Sequence, residues 1–214
     1  MMVAVVMLLL PAAASAQGAD TTCSFALTRL DATTTNALAV DTNAVYWGGT
    51  YAALPGTRIR IEGQYPHARY ISWNVYDAAA RPIDALSDVE LAPDPGSSNP
   101  FLPGADRTVT DRSYTAFIEV GPKPAQPAPN TLYTGDSRGG TFLYRVYVPV
   151  AGRDQKGGVP LPRVTLEPAG GTGPAFTADQ CRELQAPYAQ PINDLIAGAS
   201  GLPDPTDDGW QAAA

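Results

Sequence analysis

The clearest alternation of hydrophobic and polar positions runs from Ala68 to Asp77, A-R-Y-I-S-W-N-V-Y-D. Successive side chains of a β-strand point to opposite faces, so Ile71 and Trp73 share one face while Tyr70 and Tyr76 share the other. Large residues on both faces predict an inner strand of a β-sandwich, with a second sheet covering one side and a loop covering the other.

A second segment, residues 141–148, has the same character, T-F-L-Y-R-V-Y-V, and predicts a second inner strand. Its arginine, Arg145, sits among tyrosines. An arginine in such surroundings pairs with a carboxylate or stacks on an aromatic ring. Asp77, Asp84 and Asp88 are the candidate carboxylate partners.

Shorter alternating runs predict the remaining strands, at residues 45–51, 57–64, 114–120 and 164–166. Glycine inside a strand often marks a bulge. Gly48 and Gly49 therefore predict an edge strand with a bulge at residues 45–51. Pro55-Gly56 predicts a turn before the next strand.

The pattern becomes helical after the last strand. Thr177 and Gln180 have the spacing of a capping box, which predicts a short helix over residues 177–185. Pro191 predicts the first turn of a second helix over residues 191–197. The chain then divides as follows: residues 1–16 a signal peptide, 17–44 an N-terminal segment, 45–167 an all-β sandwich domain, and 168–214 a short helical C-terminal appendage with a loose tail.

Composition narrows the class of protein. The 214 residues include 21 prolines and 20 glycines, spread between apolar runs, which suits many strands and turns. The net charge is −7 and no basic patch occurs, so nucleic acid is not an expected partner. No stretch after residue 16 is long and apolar enough to span a membrane.

Residues 1–16, M-M-V-A-V-V-M-L-L-L-P-A-A-A-S-A, have the apolar region and the small-x-small cleavage site of a secretory signal peptide. A buried N-terminal helix is the alternative. The pattern predicts a mature chain that begins at Gln17 and lies in a secreted, periplasmic or cell-envelope location.

Export changes the interpretation of the two cysteines, Cys23 and Cys181. In an oxidising compartment they are expected to form a disulfide. A metal site would need more ligands than two cysteines and the single histidine, His67, at this spacing. We therefore predict neither a metal nor a cofactor.

Residues 135–139, G-D-S-R-G, match the G-x-S-x-G pattern of hydrolase nucleophile elbows, in which the serine joins a strand to a helix. Here a strand is predicted to follow, and the base would have to be His67. We interpret the string as a glycine-rich hairpin turn and predict that Ser137 is not a nucleophile.

A run of carboxylates could supply oxygen ligands to calcium, but its spacing fits no known calcium loop. Turn formation and arginine pairing explain these residues better. The run consists of Asp77, Asp84, Asp88, Glu90 and Asp94.

The predicted ligand site lies at the end of the sandwich where the 68–77 strand begins. Loops at such an end carry function more often than strands do, and aromatic faces mixed with polar donors suit a small molecule. In the alternative, the arginines pair with Asp94 and Asp106 and only hold loops. The predicted site residues are Tyr65, His67, Arg69, Tyr70, Asn99, Arg107 and Asn130.

Three segments together resemble a known family: residues 70–77, Y-I-S-W-N-V-Y-D; residues 130–133, N-T-L-Y; and residues 142–149, F-L-Y-R-V-Y-V-P. The first is similar to the F-W-S-x-T-x-Y-D strand of the bacterial exported domain of unknown function twelve-fourteen, often found behind a twelve-fifty-four domain. The resemblance covers residues 45–167 and implies a jelly-roll-like antiparallel sandwich. It implies no reaction and no catalytic residue.

Two functions are compatible with these patterns. The leading hypothesis is a non-enzymatic module of the cell envelope or exterior that binds a small molecule, a glycan or a protein. The alternative is an extracellular hydrolase. The lack of paired, well-spaced catalytic groups favours the first, and the oligomeric state stays open.

Overall fold

The computed structural model describes residues 23, 25, 29–33 and 40–200. The predicted signal peptide and the tail after residue 200 lie outside the described residues. The described elements, in chain order, are β1 (Leu30–Asp31), β2 (Ala44–Ala52), β3 (Thr57–Gln64), β4 (Ala68–Asp77), β5 (Pro82–Ser87), β6 (Ser113–Glu119), β7 (Thr131–Tyr133), β8 (Gly139–Pro149), β9 (Arg163–Pro168), a 3-10 turn (Ala169–Gly171) and α1 (Ala178–Ser200).

The strands form two sheets, ordered β1-β2-β8-β4-β5 and β7-β6-β3-β9. Their apolar faces pack together, so the predicted β-sandwich is confirmed. Every described strand pair is antiparallel except β6 with β7, which is parallel and aligns Ile118 with Leu132. The expected antiparallel pairing is therefore found throughout the described strands except at this one edge.

The core lies between the sheets and is rich in aromatic rings. Trp73 of β4 and Tyr144 of β8 stack with ring centroids 4.7 Å apart, and both are 1% exposed. The Trp73 indole donates a hydrogen bond to the Tyr114 hydroxyl of the opposite sheet, at 3.2 Å. The predicted inner strands are thus confirmed as β4 and β8, which pair with each other in the five-stranded sheet.

The edge strand with a bulge predicted at residues 45–51 is wrong on both points, and β2 lies between β1 and β8 in the sheet. β2 pairs with β8 in unbroken register from Ala44 opposite Tyr147 to Ala52 opposite Gly139. Glycine is required at position 49 for another reason, because the Phe142 ring lies where a Cβ would be. Glycine here permits the close approach of a core ring.

The two predicted C-terminal helices are one helix, α1, which contains Pro187 and Pro191. The capping box is confirmed: the Thr177 amide donates to Gln180 Oε1 at 2.9 Å, and the Gln180 amide donates to Thr177 Oγ1 at 3.3 Å. The proposed helix start at Pro191 is wrong. Proline removes one helical hydrogen bond, yet the helix continues because its next turn is packed: Ile192 is buried in a small apolar cluster beside the five-stranded sheet.

The predicted disulfide is confirmed, since the sulfur atoms of Cys23 and Cys181 lie at bonding distance, with their Cα atoms 5.6 Å apart. Cys23 is also held to β9, where the Leu166 amide contacts its sulfur at 3.2 Å. The bond therefore connects the N-terminal segment, β9 and the first turn of α1. Such a bond is typical of an oxidising compartment.

The one α-helix among the described residues, α1, is not long and apolar enough to cross a membrane.

Candidate ligand-binding site

The outer face of the five-stranded sheet, opposite the core, carries an unusual set of large side chains. Strand alternation directs Tyr46 of β2, Leu143 and Arg145 of β8, and Tyr76 of β4 to this face, while Trp73 and its core neighbours point inward. Register brings them together, because Tyr46 lies directly opposite Arg145.

Helix α1 runs beside this face, and together they form a partly open cavity, which we call the α1 cavity. Its volume is about 210 Å³. The apolar lining is Leu30, Val40, Ala80, Leu143, Ile192, Leu195 and Ile196, and the polar lining is Tyr46, Tyr76, Thr141 and Arg145. The loop predicted to cover this face is therefore replaced by a helix, at least above β2 and β8.

Arg145 is the charged group of the cavity, and it is half-buried. Its Nη2 donates a hydrogen bond to the Tyr76 hydroxyl, and its guanidinium carbon lies 5.1 Å from the centre of the Tyr46 ring. Its Nε is inaccessible to solvent and has no hydrogen-bond partner among the described residues. Of the two predicted alternatives for Arg145, aromatic stacking is confirmed.

The carboxylate alternative for Arg145 is wrong. Asp77 pairs with Arg81 at 2.7 Å, and Asp84 pairs with Lys123 at 2.8 Å. Asp88 accepts a hydrogen bond from the Val89 amide at 2.7 Å. Each of the three candidate carboxylates therefore has other partners.

Tyr46, the tyrosine opposite Arg145, is held by a hydrogen bond to a second tyrosine. The Tyr46 and Tyr147 hydroxyls are 2.8 Å apart and hydrogen-bonded. Burial, and then this hydrogen bond, raise the pKa of Tyr46 above its ordinary value. Within the described residues, the cavity thus presents one guanidinium, the hydroxyls of two tyrosines and one threonine, and apolar walls.

The predicted ligand site at the start of β4 has a different character. Three of its members bond to backbone: the Tyr65 hydroxyl donates to the Leu91 carbonyl, Asn99 donates to the same carbonyl at 2.8 Å, and Asn130 donates to the Ala92 carbonyl at 2.8 Å. Tyr65 is fully buried. These side chains hold the loop after β5 against the sandwich.

The other four predicted members lie nearer the surface. Arg69 and Tyr70 are exposed. Arg107 donates to the Ala68 carbonyl at 3.0 Å, so it does hold a loop, although through a carbonyl and not through Asp94 or Asp106. Burial, with Arg112 and Arg153 nearby, lowers the pKa of His67, which keeps the imidazole neutral at pH 7.

One residue at this end was missed by the sequence analysis. Arg112 is only 4% exposed and donates to the carbonyls of Val109, Tyr65 and Arg107, at 2.9, 3.1 and 2.8 Å. Its polar environment is therefore backbone, which no side-chain pattern could have indicated. Arg112 holds the loop that ends at β6.

The carboxylate run does not converge on a common point. Asp77 and Asp84 have the partners given above, and Glu90 accepts a hydrogen bond from the Ser87 hydroxyl at 2.5 Å. Across the described residues, no three acidic, histidine or cysteine side chains are grouped so that they could hold a metal ion.

Ser137 lies in the turn between β7 and β8, and its hydroxyl donates to the Gly139 carbonyl at 2.7 Å. This turn joins two strands, whereas a nucleophile elbow joins a strand to a helix. The turn lies beside the Asp77 end of β4, since Asp77 is opposite Gly140, and His67 precedes the other end. At about 3.3 Å per residue, the length of β4 separates the two by roughly 30 Å.

We therefore expect no labelling of Ser137 by a fluorophosphonate probe, as measured by intact mass. Ser137→Ala should lose the hydrogen bonds of this hydroxyl with Gly139 and reduce stability by about 0.5–1.5 kcal/mol. Stoichiometric labelling of the natural chain that disappears in Ser137→Ala would contradict this expectation and support the hydrolase.

No family model and no curated protein matches the chain. Two solved structures resemble it in part: an uncharacterised protein from Burkholderia cenocepacia, with 16% identity and a TM-score of 0.43 over 60% of this chain, and the VPA0106 protein from Vibrio parahaemolyticus, with 17% identity and a TM-score of 0.39 over 58% of this chain. The chain covers 31% of each of them. At this level of likeness we transfer nothing from them.

Proposed function

We propose that this protein is a non-enzymatic binding module of the cell envelope or exterior, and that the α1 cavity is its site for a small ligand. The observation that carries the proposal is the half-buried guanidinium of Arg145. It lies in a largely apolar cavity and has no carboxylate partner within the described part of the chain.

Partial burial of the Arg145 guanidinium costs free energy. Removing a charged group from water costs several kcal/mol unless it is paired. The ring of Tyr46 and the hydroxyl of Tyr76 offset only part of this cost, because neither carries a negative charge. A concave apolar site with one well-placed polar group is the usual form of a small-molecule site.

The same proposal includes the location and the family. The Cys23–Cys181 bond supports an oxidising compartment, and we propose that residues 1–16 are a signal peptide that directs export. Membership of the twelve-fourteen family and its jelly-roll-like topology are also part of the proposal. The separation of Ser137 from His67 argues against the hydrolase alternative.

A substitution that fills the cavity tests the proposal. Leu143→Trp adds a large side chain to the cavity floor, and Leu102→Trp makes the same change at an exposed position outside the lining. We expect small amphipathic compounds, with 1-octanol and octanoate in the panel, to bind the natural chain and Leu102→Trp with one-to-one stoichiometry. At a free ligand concentration of about 100 times Kd, such binding raises the free energy of unfolding by about 2.7 kcal/mol and Tm by roughly 5–10 °C.

Leu143→Trp should lose this binding in calorimetry and in thermal melts. If Leu143→Trp does not fold, Leu195→Trp serves the same purpose by adding a large side chain on the α1 side of the cavity. Binding that is unchanged in a folded cavity-filling variant would place the ligand elsewhere, and a natural chain that binds no member of the panel would contradict the proposal.

A further inference from the structure

We infer that the ligand of the α1 cavity is an amphipathic monoanion, with a single carboxylate held at Arg145 and an unbranched apolar chain between the helix and the sheet. This inference rests on the proposed function and names the chemical class that the same site selects.

The head of the ligand is indicated by how Arg145 is oriented. Its Nη2 is already bonded to the Tyr76 hydroxyl, and its Nε is shielded. The guanidinium therefore still offers Nη1 and the second N–H of Nη2, while Tyr76, which accepts the hydrogen bond from Arg145, still has its own proton to donate. Two neighbouring donors match the two oxygens of one carboxylate.

The tail is indicated by the walls. Ile192, Leu195 and Ile196 project from the last turns of α1 and face Leu143 on β8, with Leu30 and Val40 closing one side. These side chains contain no polar atoms, so a glycan would lose its hydrogen bonds to water without replacement. An alkyl chain has no hydrogen bonds to water to lose, and the removal of its apolar surface from water favours binding.

The size of the cavity limits the length of the chain. Its volume of about 210 Å³ is below the range of about 300–1,000 Å³ that is typical of sites for drug-sized ligands. A chain of medium length is therefore expected. Each further buried methylene should tighten binding about fourfold until the cavity is filled, after which affinity should level off.

Calorimetry with matched acids and alcohols tests the inference. Octanoate and decanoate are compared with 1-octanol and 1-decanol on the natural chain, on Arg145→Met, on Arg145→Lys and on Arg69→Met. Arg69→Met is the matched control, since Arg69 is exposed, lies on β4 and belongs to the other candidate site.

We expect the natural chain to prefer each acid over its alcohol by tenfold or more, because a charge-assisted hydrogen bond is lost with the alcohol. Arg145→Met should bind acid and alcohol equally while still binding the alcohol. Arg145→Lys should keep part of the preference, and Arg69→Met all of it.

Three other results would overturn the inference. Equal binding of acids and alcohols by the natural chain would show that the site does not select a carboxylate, while the proposed small-ligand site would stand. No binding of either class would overturn both the inference and the proposed function. Loss of the acid preference in Arg69→Met, but not in Arg145→Met, would move the anion site to the start of β4.

Discussion

Removal of the Cys23–Cys181 disulfide is expected to lower the free energy of unfolding by about 5 kcal/mol. The two residues are separated by 158 positions, and in the chain-entropy model a cross-link stabilises mainly by restricting the unfolded chain, more so for longer loops. The loss is expected to exceed that of most single substitutions, because this bond also connects the N-terminal segment to α1.

The measurement is urea denaturation of the Cys23→Ser, Cys181→Ser double variant beside the natural chain, with circular dichroism as the signal. The natural chain in a reducing buffer is the matched control and should lose a similar amount. An unfolding midpoint that is unchanged in the double variant would contradict the expected stabilisation. A loss in reducing buffer alone would point to an effect of the free thiols.

Trp73→Ala is expected to lower the free energy of unfolding by about 3–5 kcal/mol, the range for truncating a buried aromatic residue. Trp73 is 1% exposed and stacks on Tyr144, with Phe142 at a ring distance of 6.3 Å. The substitution also removes the donor to the Tyr114 hydroxyl, which is fully buried and would be left with one partner fewer.

Trp73→Phe is the control for this prediction, because it removes the indole donor but retains a ring in the core. Trp73→Phe should lower the free energy of unfolding clearly less than Trp73→Ala does. The exposed Leu102 serves as a second control, and Leu102→Ala should change stability by less than about 0.5 kcal/mol. Equal losses of unfolding free energy in Trp73→Ala and Leu102→Ala would show that the contacts of Trp73 contribute little to stability.

Much of the sheet structure could be predicted because strand alternation is a local signal. The prediction for residues 57–64 coincides with β3, in which Ile59 and Ile61 are buried at alternate positions. Where a residue has two physical uses, the local signal is ambiguous. A glycine in a strand permits either a bulge or a close ring, and at Gly49 the ring of Phe142, 93 positions away in sequence, decided the outcome.

At the candidate site, too, some features follow from local sequence and others from long-range contacts. Arg145 was recognised in the sequence as an arginine among tyrosines but was not one of the predicted site residues, and its choice between a carboxylate and an aromatic ring depends on register. The pairing of β2 with β8 places Tyr46 opposite Arg145, while the candidate carboxylates pair locally, as Asp77 does with Arg81. The local environment of Arg145 could therefore be anticipated in part, but neither its actual partners nor the α1 cavity could, and none of the predicted site residues lines that cavity.

The sequence by itself determined the sandwich, its two inner strands and the cysteine pair, because these follow from side-chain alternation and from the chemistry of the residues themselves. The tertiary structure alone decided that α1 is continuous through Pro187 and Pro191 and lies against the outer face of the sheet. The α1 cavity exists only through that docking, since its walls come from parts of the chain as distant as Leu30 and Ile196. Long-range packing of this kind has no signature in any local pattern, because it depends on which surfaces meet after the strands have paired.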